Sequence, residues 1–149
     1  CIVGGSYGGY AALAGAVFTP DLYKCVVSIA GVFDLDLMLS DVAYYAGRDH
    51  WVVSYWDKII RKGNFGDDYL SKISPINYVK NVTAPVLLIH GDRDRVVPFE
   101  HSDNMFDELE DADKDVTLIE LKDGDHHLSN AKNRMEALKE IDKFIKKFI

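Results

Sequence analysis

Positive charge is scarce in this sequence. Seventeen Lys and Arg stand against 24 Asp and Glu, a formal net charge of −7 with histidine neutral. Nucleic acid and anionic membrane surfaces both select basic surface, so neither is an expected partner. No apolar run approaches the roughly 20 residues a membrane-spanning helix needs. Two cysteines, Cys1 and Cys25, are too few for a disulfide framework and form no metal-ligand spacing; they read as two small buried strand residues. Internal repeats, low-complexity tracts and Gly/Ser linkers are absent. So is an initiating Met, because the chain opens on Cys1-Ile2-Val3, which reads as a buried strand already under way. The expectation is a part of something longer. Any signal peptide would lie upstream, so the compartment stays open, with the cytoplasm as the default.

What remains is an ordinary globular composition, 48% hydrophobic and 28% charged. Its 149 residues suffice for one domain that buries roughly 68–70% of its unfolded surface. Four β-branched apolar runs stand out: Cys1–Gly4, Lys24–Ala30, Pro85–His90 and Asp115–Leu121. Helical patterns lie between them, and that alternation predicts an α/β fold with a parallel sheet covered on both faces. A first helix is expected over about Tyr7 to Phe18, ending before Thr19-Pro20. The aromatic-rich segment from Phe33 to Val79 exceeds one crossover and reads as two or three short helices over one edge. Pro98 suits the first turn of a helix bearing Phe99, Met105, Phe106 and Leu109. The last helix is expected from a Ser129 cap, with Met135, Leu138, Ile141, Phe144, Ile145 and Phe148 as its core stripe.

Gly4-Gly5-Ser6-Tyr7-Gly8, placed between a strand and a helix, matches Gly-x-Ser-x-Gly. A serine that must project above a sheet needs a tight, strained turn with little room for neighbouring side chains, which glycines supply. The helix that follows turns its positive end toward the serine, and the Tyr7 N–H becomes a natural oxyanion donor. Three fixed residues at ~7% usage each produce a chance match in roughly one such chain in twenty, so the motif needs partners. Phosphate-binding glycine fingerprints are absent.

A serine is a weak nucleophile until a base takes its proton and a third group orients that base. In this strand–turn–helix context the chain order is Ser, acid, His. The predicted strand Ala84–His90 leads into Gly91-Asp92-Arg93-Asp94, where Asp92 and Asp94 both qualify as the acid. The predicted strand Asp115–Leu121 leads into Asp125-His126-His127, and only one of the two imidazoles can face Ser6. No further His/Cys/Asp cluster completes a metal site there. His50 reads as part of the aromatic-rich segment, His101 as a residue on a helix face, and His90, at a strand end, as at most a hydrogen-bonding support.

These residues, with Ser74-Pro75-Ile76 and the stretch Ala84 to Pro98, resemble the prolyl oligopeptidase family of serine peptidases, nearest its acylaminoacyl and bacterial dipeptidyl-peptidase-like branches. The likeness runs along nearly the whole chain and is weakest over about Asp34 to Ile73. The resemblance implies the C-terminal half of an α/β-hydrolase domain, with about four sequential parallel strands, the serine strand at an exposed edge, and an upstream half and β-propeller absent. It also implies Ser6 as nucleophile, Asp94 as acid, His126 as base, the Tyr7 N–H as half an oxyanion hole, and Val32, Leu35, Met38 and Val97 as pocket residues. His127 departs from the family's usual glycine or aromatic at that position. The resemblance further implies a short peptide as substrate and no metal or organic cofactor. A carboxylesterase-type acyl hydrolase is the competing enzyme reading. An incomplete fragment that associates through its edge strand, including with a second copy, is the reading outside the enzyme class.

Overall fold

Each apolar run becomes a strand too short to stand alone, and pairing side by side satisfies its backbone. The computed structural model describes residues 1–61, 63, 66 and 68–149. Its element order is β1 (Ile2–Gly5), α1 (Tyr7–Phe18), β2 (Val26–Ile29), α2 (Leu35–Ala46), α3 (Trp51–Arg61), α4 (Tyr69–Ile73), a 3₁₀ segment (Pro75–Asn81), β3 (Val86–Gly91), α5 (Glu100–Asp111), β4 (Val116–Leu121) and α6 (Ala131–Ile145). The four strands form one parallel sheet in the order β1-β2-β3-β4. Ile2 lies beside Val26, Val26 beside Val86, and Val86 beside Val116. The apolar runs predict the parallel sheet, and the family resemblance its sequential order.

Side-chain alternation divides the core in two. Val26, Val86 and Leu88 meet Ala12, Leu13, Ala16 and Val17 of α1 and Met105 and Leu109 of α5 on one face. Val27, Leu87 and Ile89 meet Ala137 and Phe144 of α6 on the other. Leu13 is fully buried, and truncating such a residue to Ala costs about 2–5 kcal/mol.

The last helix corrects the sequence reading. Met135 and Leu138 are exposed, while Ile141, Phe144, Ile145 and Phe148 of the expected stripe pack inward together with Asn133 and Ala137. Ala137 is small enough to sit against the strands, and Asn133 is buried because its side-chain amide donates to the Lys122 carbonyl at 3.2 Å. The cap is Asn130, whose side chain accepts from the Lys132 N–H, rather than Ser129. A second correction concerns the cysteines. Cys1 and Cys25 precede paired residues of adjacent strands, Ile2 and Val26, and form a disulfide; only Cys25 is buried. A third concerns Pro98, which lies ahead of α5 rather than in its first turn.

The segment between β2 and β3 forms three α-helices and a 3₁₀ turn rather than a plain crossover. Buried Ser74 fastens it: its hydroxyl donates to the Leu70 carbonyl at 2.8 Å and accepts from the Leu35 N–H at 2.9 Å. That clasp joins the end of α4 to the start of α2. The Asp34 side chain caps α2 by accepting from the N–H groups of Asp36 and Leu37. These helices stand over the serine turn and wall its cavity.

Candidate active site

β1 must stop and α1 must start within one residue, and Ser6 is that residue. Its backbone sits at φ 55°, ψ −121°, a conformation that costs a side-chain-bearing residue on the order of 1–3 kcal/mol. The turn is held because the Ser6 N–H donates to the Ile29 carbonyl of β2 at 2.8 Å, while Gly9 and Tyr10 N–H groups donate to the Ser6 carbonyl. A Cβ on Gly4 would overlap the carbonyl of Gly8, so a glycine is required there. Tyr7 is the first helical residue, and N–H groups in a first turn have no intrahelical acceptor. Its N–H therefore lies beside the serine with the helix dipole behind it.

Asp94 and His126 arrive from the loops after β3 and β4. His126 Nε2 is 3.0 Å from Ser6 Oγ, and His126 Nδ1 is 2.6 Å from Asp94 Oδ2. A carboxylate only accepts, so the Nδ1–H donates to Asp94 and Nε2 is left to accept from the serine hydroxyl. Asp94 Oδ1 accepts from the N–H groups of Val96 and Val97 at 2.8 and 2.9 Å. The side chain of Asp94 is fully buried. Burial by itself raises its pKa, but hydrogen bonds from His90, Val97, His126 and Val96 outweigh it and bring the group down to about 2.

His90 lies beneath this carboxylate. Its Nε2 is 2.9 Å from the Val97 carbonyl and 3.3 Å from Asp94 Oδ2, both acceptors, so Nε2 carries the hydrogen. Its Nδ1 then accepts from the Ser102 hydroxyl at 2.7 Å. Asp92 instead accepts from the Gly124 N–H at 3.2 Å, tying the two loops together. The loops touch at glycines: a Cβ on Gly91 would collide with the backbone of Gly124. The Arg93 N–H donates to the Gly124 carbonyl at 2.9 Å. His127 is exposed, its ring roughly perpendicular to that of His126 at 81°, and Asp125 is occupied by the Ser129 N–H. Of the competing side chains, His126 meets Ser6 and Asp94 meets His126, while Asp92 and His127 join neither contact.

A cavity of about 680 Å³ opens from Ser6 and Tyr7 between α2, α3 and the segment after β3. Val32, Leu35, Met38 and Val97 all line it. So do Asp41 of α2, which the sequence did not single out, and His101 of α5, which it read only as a helix-face residue. His101 is 1% exposed, and its Nε2 lies 3.6 Å from Asp41 Oδ2. Burial, against the opposing pull of Asp34, lowers His101 to about 4. Burial and then the nearby Glu100 raise Asp41. No sequence signal marked this pair, because 60 residues separate its members and only the packing of α2 against the pocket brings them together.

The whole chain, residues 1–149, matches the family model described as "Prolyl oligopeptidase family". The chain belongs to the prolyl oligopeptidase family. Among family relatives, dipeptidyl aminopeptidase BIII of Pseudoxanthomonas mexicana is 31% identical over 137 residues, covering 89% of this chain and 19% of the relative. Dipeptidyl peptidase family member 6 of Caenorhabditis elegans is 30% identical over 149 residues, covering 97% of this chain and 20% of the relative. The acylaminoacyl peptidase of Pyrococcus horikoshii superposes with a TM-score of 0.80 at 30% identity, over 99% of this chain and 23% of that one. An acylaminoacyl peptidase solved with Z-Gly-Gly-Phe-chloromethyl ketone gives 0.78 at 30% identity, over 97% of this chain and 23% of that one. The chain thus spans about a fifth of the length of the curated relatives it matches. Its four-stranded parallel sheet and flanking helices have the α/β-hydrolase fold of those peptidases.

Proposed function

We propose that Ser6, His126 and Asp94 act as a catalytic triad that hydrolyses peptide bonds of short peptides through an acyl-enzyme. The observation that carries this reading is the unbroken hydrogen-bond line from Ser6 Oγ to His126 to Asp94, at 3.0 and 2.6 Å, on a strained turn. Ser6 Oγ attacks the scissile carbonyl as its proton passes to His126 Nε2, and the Tyr7 N–H donates to the oxyanion. His126 then protonates the leaving amine as the C–N bond breaks. Water, deprotonated by the same nitrogen, releases the acyl group and restores Ser6. Asp94 keeps the imidazole in the required tautomer and balances its positive form. Val32, Leu35, Met38 and Val97 receive the side chain on the acyl side of the scissile bond. We further propose that these 149 residues are the triad-bearing half of the hydrolase domain, with the second oxyanion donor on the remaining half.

A fluorophosphonate probe tests the assignment on the protein at its natural length. We expect a single covalent label on Ser6, and none in Ser6→Ala. A label on another residue, or no label at all, refutes the triad.

A further inference from the structure

The cavity beside Ser6 is lined mostly by apolar and aromatic side chains, and Asp41 and His101 stand among them. Asp41 Oδ2 and both ring nitrogens of His101 are buried without a hydrogen-bond partner among the described residues. Buried polar atoms are normally paired, and leaving one unsatisfied costs on the order of 1–3 kcal/mol. Three such atoms gathered in one cavity form a recognition surface for a group that brings hydrogen bonds with it.

The charge of that group follows from the surroundings. The acidic side chains Asp34 and Glu100 lie near enough to act on His101 and Asp41 respectively. Among the described residues lining the cavity, the only cation is Arg95, which is exposed at its mouth. His101 is neutral near pH 7, having a pKa of about 4, so it does not neutralise Asp41. A largely apolar pocket with Asp41 as the one carboxylate among its described lining residues is complementary to a long hydrocarbon stem tipped with a positive charge.

We propose that Asp41 and His101 form the floor of the specificity pocket and select lysine or arginine as the residue on the acyl side of the scissile bond. The ammonium or guanidinium N–H groups donate to Asp41 Oδ2 and to the unprotonated ring nitrogen of His101. The side-chain methylenes pack along Leu35, Met38 and Val42. This inference rests on the peptidase reading, whose substrate class it names.

The test uses the natural-length protein and a series of peptide p-nitroanilides that differ only in the residue before the anilide: Lys, Arg, Met, Leu and Phe. We expect kcat/KM for Lys and Arg to exceed that for Met and Leu by roughly 10- to 100-fold, as when a mismatched substrate leaves buried polar groups unpaired. Asp41→Asn should reduce the Lys/Leu ratio by about tenfold or more. n-Butylguanidine should inhibit the wild-type protein competitively, and Asp41→Asn should weaken that inhibition by a similar factor. If Ser6 takes the fluorophosphonate label but Leu or Phe leads the series, or the Lys/Leu ratio survives Asp41→Asn, this proposal is wrong while the triad stands. If Ser6 takes no label, both fall together.

Discussion

Burial opposes the negative charge of Asp94, yet hydrogen bonds from His90, His126 and two backbone N–H groups hold its pKa at about 2, below its ordinary 3.8. The sign of the linkage follows. The folded state favours the carboxylate, so the stabilisation is complete above the unfolded value and is lost as pH falls toward 2. At about 1.4 kcal/mol per unit this amounts to about 2 kcal/mol. Asp94→Asn should therefore flatten the acid limb of the stability curve between about pH 4 and pH 2, measured by urea unfolding. The same substitution presents an amide to His126 in place of a carboxylate and should lower kcat by roughly 10³–10⁴-fold. An unchanged acid limb with unchanged turnover would remove Asp94 from the network. The residue scale also shows where sequence spacing alone was insufficient. Asp92 and Asp94 are two positions apart, and the difference lies in which one turns toward Val96 and Val97 and which toward Gly124.

Elements matter here through the loops they end in. β3 and β4 are paired as far as Gly91 and Leu121, so the chain segments beyond them start side by side. Gly91 and Gly124 let those segments approach until backbone meets backbone, bringing Asp94 to His126. Gly91→Ala would place a methyl group into the Gly124 backbone, and separation of the loops should cost on the order of 10²-fold in turnover. Circular dichroism should remain that of the parent, and full activity in this variant would show that the loops do not need this contact. Helix periodicity was legible for α5, where Met105 and Leu109 of the expected stripe are buried. It misled for α6, where Met135 and Leu138 satisfy the same spacing but face solvent. Apolar residues covered more than one face of that helix, and Ala137 with its close contact to the sheet decided which face turned inward.

At the scale of the molecule, the sheet has an open side. β1, at the end of the order, bears the serine turn, and Val3 on it is 44% exposed. No strand among the described residues pairs with its outer edge. Unpaired strand edges recruit other strands. Expressed as these 149 residues alone, the chain should associate in gel filtration, with Val3→Lys shifting it toward monomer. A monomeric unsubstituted chain would exclude pairing through this edge. The second feature at this scale is the assembly of the cavity from α2, α3, the segment after β3 and the serine turn. Residues 6, 41 and 101 line one cavity because the insertion between β2 and β3 folds back over the sheet.

By itself, the amino-acid sequence determined the alternation of strand and helix, the parallel sheet and the serine turn, because all three rest on local rules of apolar runs, glycine positions and periodicity. The sequential strand order came from the family resemblance. The sequence also narrowed the acid and the base to two neighbours each. Tertiary structure alone decided which end of the α6 stripe turns outward, the disulfide between Cys1 and Cys25, and the juxtaposition of Asp41 and His101. Those depend on the distance between side chains remote in sequence, which is set only when the strands have paired and the helices have packed against them.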